Sequence, residues 1–232
     1  MTDALNKVSG LNHIPIFPLP LVMLPNELLP LHIFEERYRQ MLSDIEGKRN
    51  IFGITLFEPT ESFIERPPLG SVGCAGEIRE AEMLDDGRSN ILTLGLVRYR
   101  LIDYVDSGTE YLVGDVEYFE DDVDDSGEVE FVAGEVFSLF DRLAKAAFKM
   151  GGSRGQMPEI QRADPESLSF LVTAAFNFDN ERKYHFLEMT STAERLRELK
   201  KVLDQAVGQI EESAEIQTVS KTNGHSKKKL EL

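Results

Sequence analysis

The sequence predicts an α+β fold, in which a mostly antiparallel β barrel or curved sheet with one helix precedes a helical bundle. Residues 12–120 hold short runs of β-branched and aromatic side chains separated by turn signals. These runs do not alternate with helical patterns, which disfavours a parallel doubly wound sheet. In residues 128–207, apolar side chains recur at helical spacings of three and four. We expect residues 1–11 to be a flexible N-terminus and residues 208–232 a disordered tail.

The β lobe is organised around residues 14–42, IPIFPLPLVMLPNELLPLHIFEERYRQML. Proline fixes φ and removes a backbone donor, so residues 14–31 should follow an extended, interrupted path. From Phe34 the apolar period changes to three and four, and Gly47 stands where a helix usually ends. This predicts an amphipathic helix over residues 34–46. The prolines that interrupt the extended part include Pro18, Pro20, Pro25 and Pro30.

Further runs predict the remaining strands of the lobe. Asp85-Asp86-Gly87 predicts a tight turn and therefore a hairpin, and Gly114 is a candidate β-bulge. Around Arg98 apolar and charged residues alternate, as in a strand that is buried on one face only. The predicted strands are residues 51–57, 72–84, 89–94, 97–105 and 111–119, with a polar loop at residues 60–70.

The C-terminal part predicts four helices. Ser126 can cap the first, Asp179 can open the third, and Ser191 with Glu194 forms a capping box for the last. The predicted helices cover about residues 126–150, 165–175, 179–189 and 191–209.

Residues 121–127 separate the two parts and are rich in aspartate. Such density of like charge is typical of a solvated linker. The calcium-loop register is not met, because no glutamate stands six positions after Gly127. We therefore expect an acidic linker and no metal site. The basic residues 227–229 in the tail could dock on an acidic partner or on this linker.

Composition restricts the function classes. The formal net charge is −16, which disfavours nucleic-acid binding, since affinity for phosphates comes largely from Lys and Arg. The single cysteine, Cys74, lies in an apolar, glycine-rich run and is expected to be a buried thiol. No signal peptide or membrane-spanning run is recognisable, so we expect a cytoplasmic protein. The four histidines do not show metal-binding spacing, and no cofactor is predicted.

Several blocks resemble, in order, the Lon N-terminal domain, the substrate-recognition module of the Lon protease family. The resemblance covers about residues 12–205. Its blocks are FPL at 17–19, LPLHIFE at 29–35, RY at 37–38, VGCAGEI at 72–78, NILTLGLVRYR at 90–100, YLVG at 111–114 and LEMTSTAERL at 187–196.

The resemblance implies a PUA-like β lobe and a non-enzymatic, protein-binding function. Full-length Lon proteases continue into an ATPase with a phosphate loop and a Ser-Lys protease domain, and no G-x-x-x-x-G-K-[ST] pattern occurs here. We therefore expect a stand-alone Lon-type domain that binds unfolded or client proteins, as a proteolysis adaptor working with a protease or as a holdase. Two alternatives stay open: an RNA-associated PUA-like protein, and a small hydrolase with a site assembled across the lobes.

The binding surface is predicted at the start of the first predicted helix, at Phe34, Glu35, Glu36, Arg37 and Tyr38. We expect the three charged side chains to point outward and the two aromatic rings to lie partly inward. Proline-interrupted edge strands beside this helix offer two modes of recognition, namely strand addition and an apolar groove.

Overall fold

The computed structural model describes residues 2–58, 66–150 and 161–223. The chain divides into two compact units. The first unit contains the chain up to Val123 together with Glu166–Thr192, and the second contains Asp124–Pro165 and the chain from Ala193 onward. Among the described residues, no helix is long and apolar enough to cross a membrane.

The described residues form six strands and six helices. The strands are β1 (His13–Leu19), β2 (Leu28–Ile33), β3 (Ile51–Leu56), β4 (Val72–Met83), β5 (Ser89–Val105) and β6 (Leu112–Phe119). The helices are α1 (Asp3–Val8), α2 (Glu36–Ile45), α3 (Ser126–Met150), α4 (Pro165–Ala175), α5 (Asn180–Glu188) and α6 (Thr192–Asn223).

The strands form one mixed sheet in the order β2-β5-β4-β3-β1-β6, and β5 also pairs with β6. The sequence predicts a mostly antiparallel barrel, but β1 and β3 pair in parallel. The long strand β5 pairs with β2 through residues 89–94 and with β6 through residues 98–105. The fold is therefore mixed α/β, with a six-stranded sheet that is not a simple barrel.

A tight turn connects the proline-rich run to β2. Glu27 N donates to Leu24 O at 3.2 Å, Pro25 follows Leu24, and Asn26 has a φ of 64°. These are the features of a type II turn, in which proline precedes a residue with positive φ. The turn packs on Gly95, whose N donates to Glu27 O at 2.9 Å. A Cβ at residue 95 would lie 2.1 Å from Leu24 O, so only glycine fits there.

The two strands predicted at residues 89–94 and 97–105 are one continuous strand, β5. Its pairing with β4 shifts by one residue at Gly95, since Gly76 pairs with Gly95 and Ala75 with Val97. The prediction of a bulge at Gly114 was wrong, because the irregularity lies on the partner strand between Leu101 and Asp103. At Gly114 the side chains of Leu101 and Ile16 leave no room for a Cβ.

Arg98 of β5 is 1% exposed, which contradicts the expected solvent-facing position. Its guanidinium donates to Leu187 O at 3.2 Å and to Met189 O at 2.5 Å, and it forms an ion pair with Asp121. It also lies 4.6 Å from the centre of the Phe119 ring. The alternation predicts a solvent-facing side chain only where no other layer of structure covers the strand. Arg98 is buried because such a layer covers this part of β5.

That layer consists of α4 and α5, which belong to the same unit as the sheet. Phe170 and Leu187 pack with Val22, Leu24 and Val72 in one buried cluster. The predicted single bundle of four helices was therefore wrong. Its second and third helices cover the sheet, because their apolar faces meet apolar side chains of the sheet unit.

The second unit contains α3 and α6. The amide of Ala193 donates to Asp124, Arg197 pairs with Glu128, and Lys200 Nζ lies 2.7 Å from Glu135 Oε1. These partners advance together in both helices, so α3 and α6 run parallel. The predicted apolar stripes are buried along both helices, at Val132, Val136, Leu139 and Leu143 and at Leu196, Leu199 and Leu203.

The segment at residues 121–127, predicted as an acidic linker, contains the division between the two units, which falls between Val123 and Asp124. Several of its side chains also make hydrogen bonds. Thr192 donates to Asp121, Thr190 donates to Asp122 at 2.7 Å, and Asp125 accepts from Glu128 N at 2.9 Å. Its carboxylates therefore accept hydrogen bonds from Thr190 and Thr192 and at the start of α3, a position where aspartate is favoured.

Both predicted chain ends contain helix. Residues 1–11 include α1, whose Val8 is buried, and α6 continues past residue 208 to Asn223. The basic residues 227–229 and most of the loop predicted at residues 60–70 lie outside the described residues.

Candidate functional site

The helix α2 is held against the sheet by one buried stripe, formed by Tyr38, Met41 and Ile45. The rings of Tyr38 and Phe17 have centroids 4.1 Å apart, and Tyr111 donates its hydroxyl to Asp44 at 2.8 Å. Burial raises the pKa of the Tyr38 phenol. Because the inner face is fixed in this way, the polar face of α2 is presented to solvent in a defined orientation.

The five residues predicted as a binding surface do not all face the same way. Tyr38 is buried, and Phe34 is 61% exposed, which corrects the expectation that both rings lie partly inward. The helix begins only at Glu36, so Phe34 still follows the alternation of β2 and stacks beside His32 at 6.2 Å between ring centroids.

The charged members of the predicted surface lie at the helix start. Arg37 pairs with Glu35 at 2.8 Å and lies over the Tyr38 ring at 4.6 Å. Glu35 is the N-cap of α2 but its side chain makes no capping hydrogen bond. Glu36 and Arg37 are exposed and Glu35 is partly exposed. The structure thus presents Phe34 and three charged groups, with Tyr38 as the support beneath them.

A groove of about 590 Å³ lies between α2 and the β4–β5 hairpin. Its apolar lining includes Leu42, Ile78, Ile91 and Met83, and Met83 is 79% exposed. Glu36 is the one predicted site residue that lines it. The sheet register places Ala81 opposite Ile91 and Met83 opposite Ser89, so this face of the hairpin turns toward α2.

Arg39 and Glu46 add charge of both signs to the groove lining. Arg39 extends to the hairpin turn, where its Nη2 lies 2.7 Å from the position of a Cβ on Gly87. Gly87 also has a φ of 78°, which favours glycine. The absence of a side chain at the turn therefore lets Arg39 cross the end of the groove.

Sequence reasoning missed the groove residues of the hairpin. One signal was present: Ala81 and Met83 alternate with Glu80 and Glu82, which marks two different faces at the far end of β4. The pattern could not show that α2 would leave Met83 exposed.

The groups that could support catalysis are dispersed. Among the described residues, no cluster of three His, Cys, Asp or Glu side chains could hold a metal ion. Cys74 is fully buried, and its burial raises the pKa of the thiol to about 12. His32 Nδ1 lies 2.7 Å from Asn90 Oδ1 on the exposed face of the sheet. The groove with its apolar lining is suited to binding.

Comparison with known proteins identifies the family. The model of the ATP-dependent protease La (LON) substrate-binding domain matches residues 13–205. The chain belongs to this family. The resemblance noted in the sequence is thereby confirmed over most of the chain.

Relatives and solved structures agree with this assignment. The chain is 24% identical over 212 residues to a Lon protease of Syntrophus aciditrophicus and 24% identical over 220 residues to Lon protease 2 of Herpetosiphon aurantiacus. These matches cover 88% and 94% of this chain but 26% of each relative, so the chain spans about a quarter of their length.

Two solved structures share the fold. A Lon N-terminal domain protein from Xanthomonas campestris has a TM-score of 0.59 at 20% identity, and the match covers 81% of this chain and 96% of that one. The N-terminal domain of Mycobacterium avium complex Lon protease has a TM-score of 0.61 at 17% identity, with 83% and 98% covered.

Proposed function

We propose that this protein binds exposed apolar segments of unfolded client proteins and does not itself catalyse a reaction. The observation that carries the proposal is the groove between α2 and the β4–β5 hairpin, with its apolar lining and the exposed Met83. Membership in a family of substrate-binding domains supports the same function.

The groove fits clients that share exposed apolar surface but no common sequence. Its volume lies within the range of roughly 300–1,000 Å³ that is typical of ligand sites. The thioether of Met83 is flexible and polarisable, which allows one surface to pack against different apolar side chains. Charged groups of both signs, Glu36, Arg39 and Glu46, also line the groove and can contact polar residues of a client.

The start of α2 extends this surface in our proposal. Phe34 offers an exposed aromatic ring, and Glu35, Glu36 and Arg37 offer charges that a polar segment next to the apolar one can contact. Tyr38 contributes from below by fixing the orientation of Arg37.

Substitution of Met83 tests the groove directly. Binding of a reduced, carboxymethylated globular protein, which stays unfolded, is measured by fluorescence anisotropy with the chain of residues 1–232. The M83E variant should bind about tenfold more weakly, because a charge replaces an apolar contact. The matched control is I102E, which changes another exposed apolar residue, 44% exposed, outside the groove lining. Equal affinities of M83E and I102E would exclude the groove.

A triple substitution tests the start of α2. Changing Glu35, Glu36 and Arg37 to alanine should weaken binding of the same client severalfold while leaving the thermal unfolding midpoint nearly unchanged, since these side chains are surface groups. Unchanged binding would remove these three residues from the proposed surface.

Further measurements distinguish a holdase from a proteolysis adaptor. A holdase suppresses aggregation of a heated client on its own, whereas an adaptor increases client degradation only when its protease is added. A pull-down from cell lysate with and without residues 208–232 tests whether the tail recruits such a partner.

RNA association is tested by filter binding with a salt titration, because phosphate contacts weaken steeply with salt.

A further inference from the structure

Strand β2 lies at the edge of the described sheet. Within the part of the chain that the structure describes, β2 pairs with β5 alone. The pair directly before Leu28 and Leu94 shows which β2 residues bond to β5, since Gly95 N donates to Glu27 O. Bonded and non-bonded pairs alternate along an antiparallel ladder, so Leu29, Leu31 and Ile33 bond to β5. The backbone groups of Leu28, Pro30 and His32 point away from β5.

Pro30 lies in the middle of this outward set. Proline has no amide hydrogen, so the edge offers the N–H groups of Leu28 and His32 and the carbonyls of all three residues. An edge of this kind can bind an added strand, but with one hydrogen bond missing at its centre. The interaction would be weak and reversible, as release of a client requires.

The side chains beside this edge form three rows across the outer face of the sheet. Leu28 stands opposite Leu94, Pro30 opposite Leu92, and His32 opposite Asn90. The row of Pro30 and Leu92 continues on β4 with Glu80, and the row of His32 and Asn90 continues with Glu82. Leu28 is 57% exposed and Leu92 and Leu94 are partly exposed. The first two rows are therefore apolar next to β2, and the third is polar.

The charge of this face is negative. Glu80 and Glu82 are both exposed on β4, and the whole chain carries a formal charge of −16. A basic side chain in the third row would be attracted by this negative potential. The attraction strengthens as salt is lowered, because the screening length is only about 8 Å at physiological salt.

We propose that β2 captures an extended client segment by antiparallel strand addition, and that the preferred segment has the pattern Lys-x-Leu-x-Leu or its apolar and basic equivalents. In an antiparallel arrangement the basic residue lies opposite His32, and the two apolar residues lie opposite Pro30 and Leu28. This inference rests on the proposed protein-binding function and adds the conformation and charge of the bound segment.

A second copy of this chain is a poorer occupant of the same edge. It would bring a second set of acidic rows and a second net charge of −16 to the contact. It would also bring a second proline, so that two donors would be missing from the ladder.

The test uses the chain of residues 1–232 and the labelled peptide Thr-Lys-Thr-Leu-Thr-Leu-Thr with blocked ends. In the antiparallel pairing the amides of Lys and Leu face β2, whereas the Thr amides face solvent. N-methylation of the Lys and Leu amides should weaken binding about tenfold or more, because three donors are lost and the methyl groups collide with the edge. N-methylation of the inner Thr amides should have little effect.

Variants of the protein provide the reciprocal test. P30V restores a donor at the centre of the edge and should bind the peptide about fivefold more tightly, the equivalent of one additional hydrogen bond. L28P removes a donor and should weaken binding, and its control L28V keeps the donor with a similar apolar side chain. Circular dichroism and the thermal midpoint verify that each variant is folded.

The outcomes distinguish strand addition at β2 from the proposed binding of unfolded clients. Weaker binding after methylation of the Lys and Leu amides but not of the Thr amides, together with tighter binding by P30V, supports strand addition. Equal effects of both patterns, or no binding of the peptide, overturn it, and so does a dimer that P30V strengthens in sedimentation experiments. The proposed function stands or falls separately, with binding of the unfolded protein and its loss in M83E. Replacing Lys by Glu in the peptide should weaken binding severalfold at low salt.

Discussion

The two halves of β5 share one backbone but lie in opposite environments. Residues 89–94 run between β2 and β4, with a partly exposed outer face. At residues 98–100 β5 runs between β4 and β6, and here Arg98 and Tyr99 are both buried. Gly95 lies at the joint, under the turn at Leu24. The second half is anchored on both faces. The first half can therefore keep a partly exposed outer face beside β2, the edge strand of the described sheet, and remain ordered.

Removing Arg98 should have the largest effect on this arrangement. R98A leaves Asp121 without its buried ion-pair partner and frees the Leu187 and Met189 carbonyls, so we expect a loss of about 3–5 kcal/mol in the free energy of unfolding. The protein has six tyrosines and no tryptophan, and every tyrosine lies in the sheet-containing unit. The tyrosine band of the near-ultraviolet circular dichroism spectrum, followed in urea, therefore measures that unit alone.

The matched control for R98A is R100A. Arg100 is exposed two residues further along the same strand and donates to Gly70 O at 3.2 Å. Its loss should cost less than about 1 kcal/mol. Similar urea midpoints for the two variants would show that the buried cation does not anchor the second half of β5.

A side chain at the joint between the halves should have the next largest effect. In G95A the new Cβ would lie 2.1 Å from the Leu24 carbonyl oxygen, which is backbone and cannot rotate away. We expect a destabilisation of about 1–3 kcal/mol, typical of overpacking, measured by the same tyrosine signal.

The control substitution at a second glycine should increase stability, whereas G95A should decrease it. Gly208 lies within α6 and has no atom within 4 Å of a Cβ position, so G208A should stabilise its helix by about 0.5–1 kcal/mol. The helical signal in the far ultraviolet measures this change. If G95A were as well tolerated as G208A, the turn at Leu24 would not constrain β5.

The smallest expected effect is a gain of stability in the open half. Thr93 is fully buried, and among the described side chains its hydroxyl has no hydrogen-bond partner. T93V keeps the shape and removes the unsatisfied group, so it should stabilise the protein by about 1 kcal/mol. The control is T55V, because Thr55 Oγ1 lies 2.6 Å from the Tyr99 hydroxyl and its loss should destabilise. A loss of stability in T93V would mean that its hydroxyl has a partner.

Much of the fold could be predicted from local patterns. The helix at residues 36–45, the strands β3, β4 and β6 and the turn at Gly87 lie within a few residues of their predicted positions. The prediction of one bundle failed because apolar stripes show that a helix packs but not against what. For the same reason the candidate site was found only in part: the start of α2 was indicated by its sequence, whereas Met83 became part of a groove through its distance from α2.

The sequence by itself determined the order of the elements, the family and the places where the chain must turn. Proline, glycine and aspartate act on the backbone of their own and adjacent residues, so their effects can be seen locally. Only the tertiary structure decided which faces are covered. Arg98 became a buried anchor through Asp121 and the Leu187 carbonyl, 23 and 89 residues away, while β2 lies at the edge of the sheet that the described residues form. Burial and charge pairing depend on contacts between distant segments, and these exist only once the chain has folded.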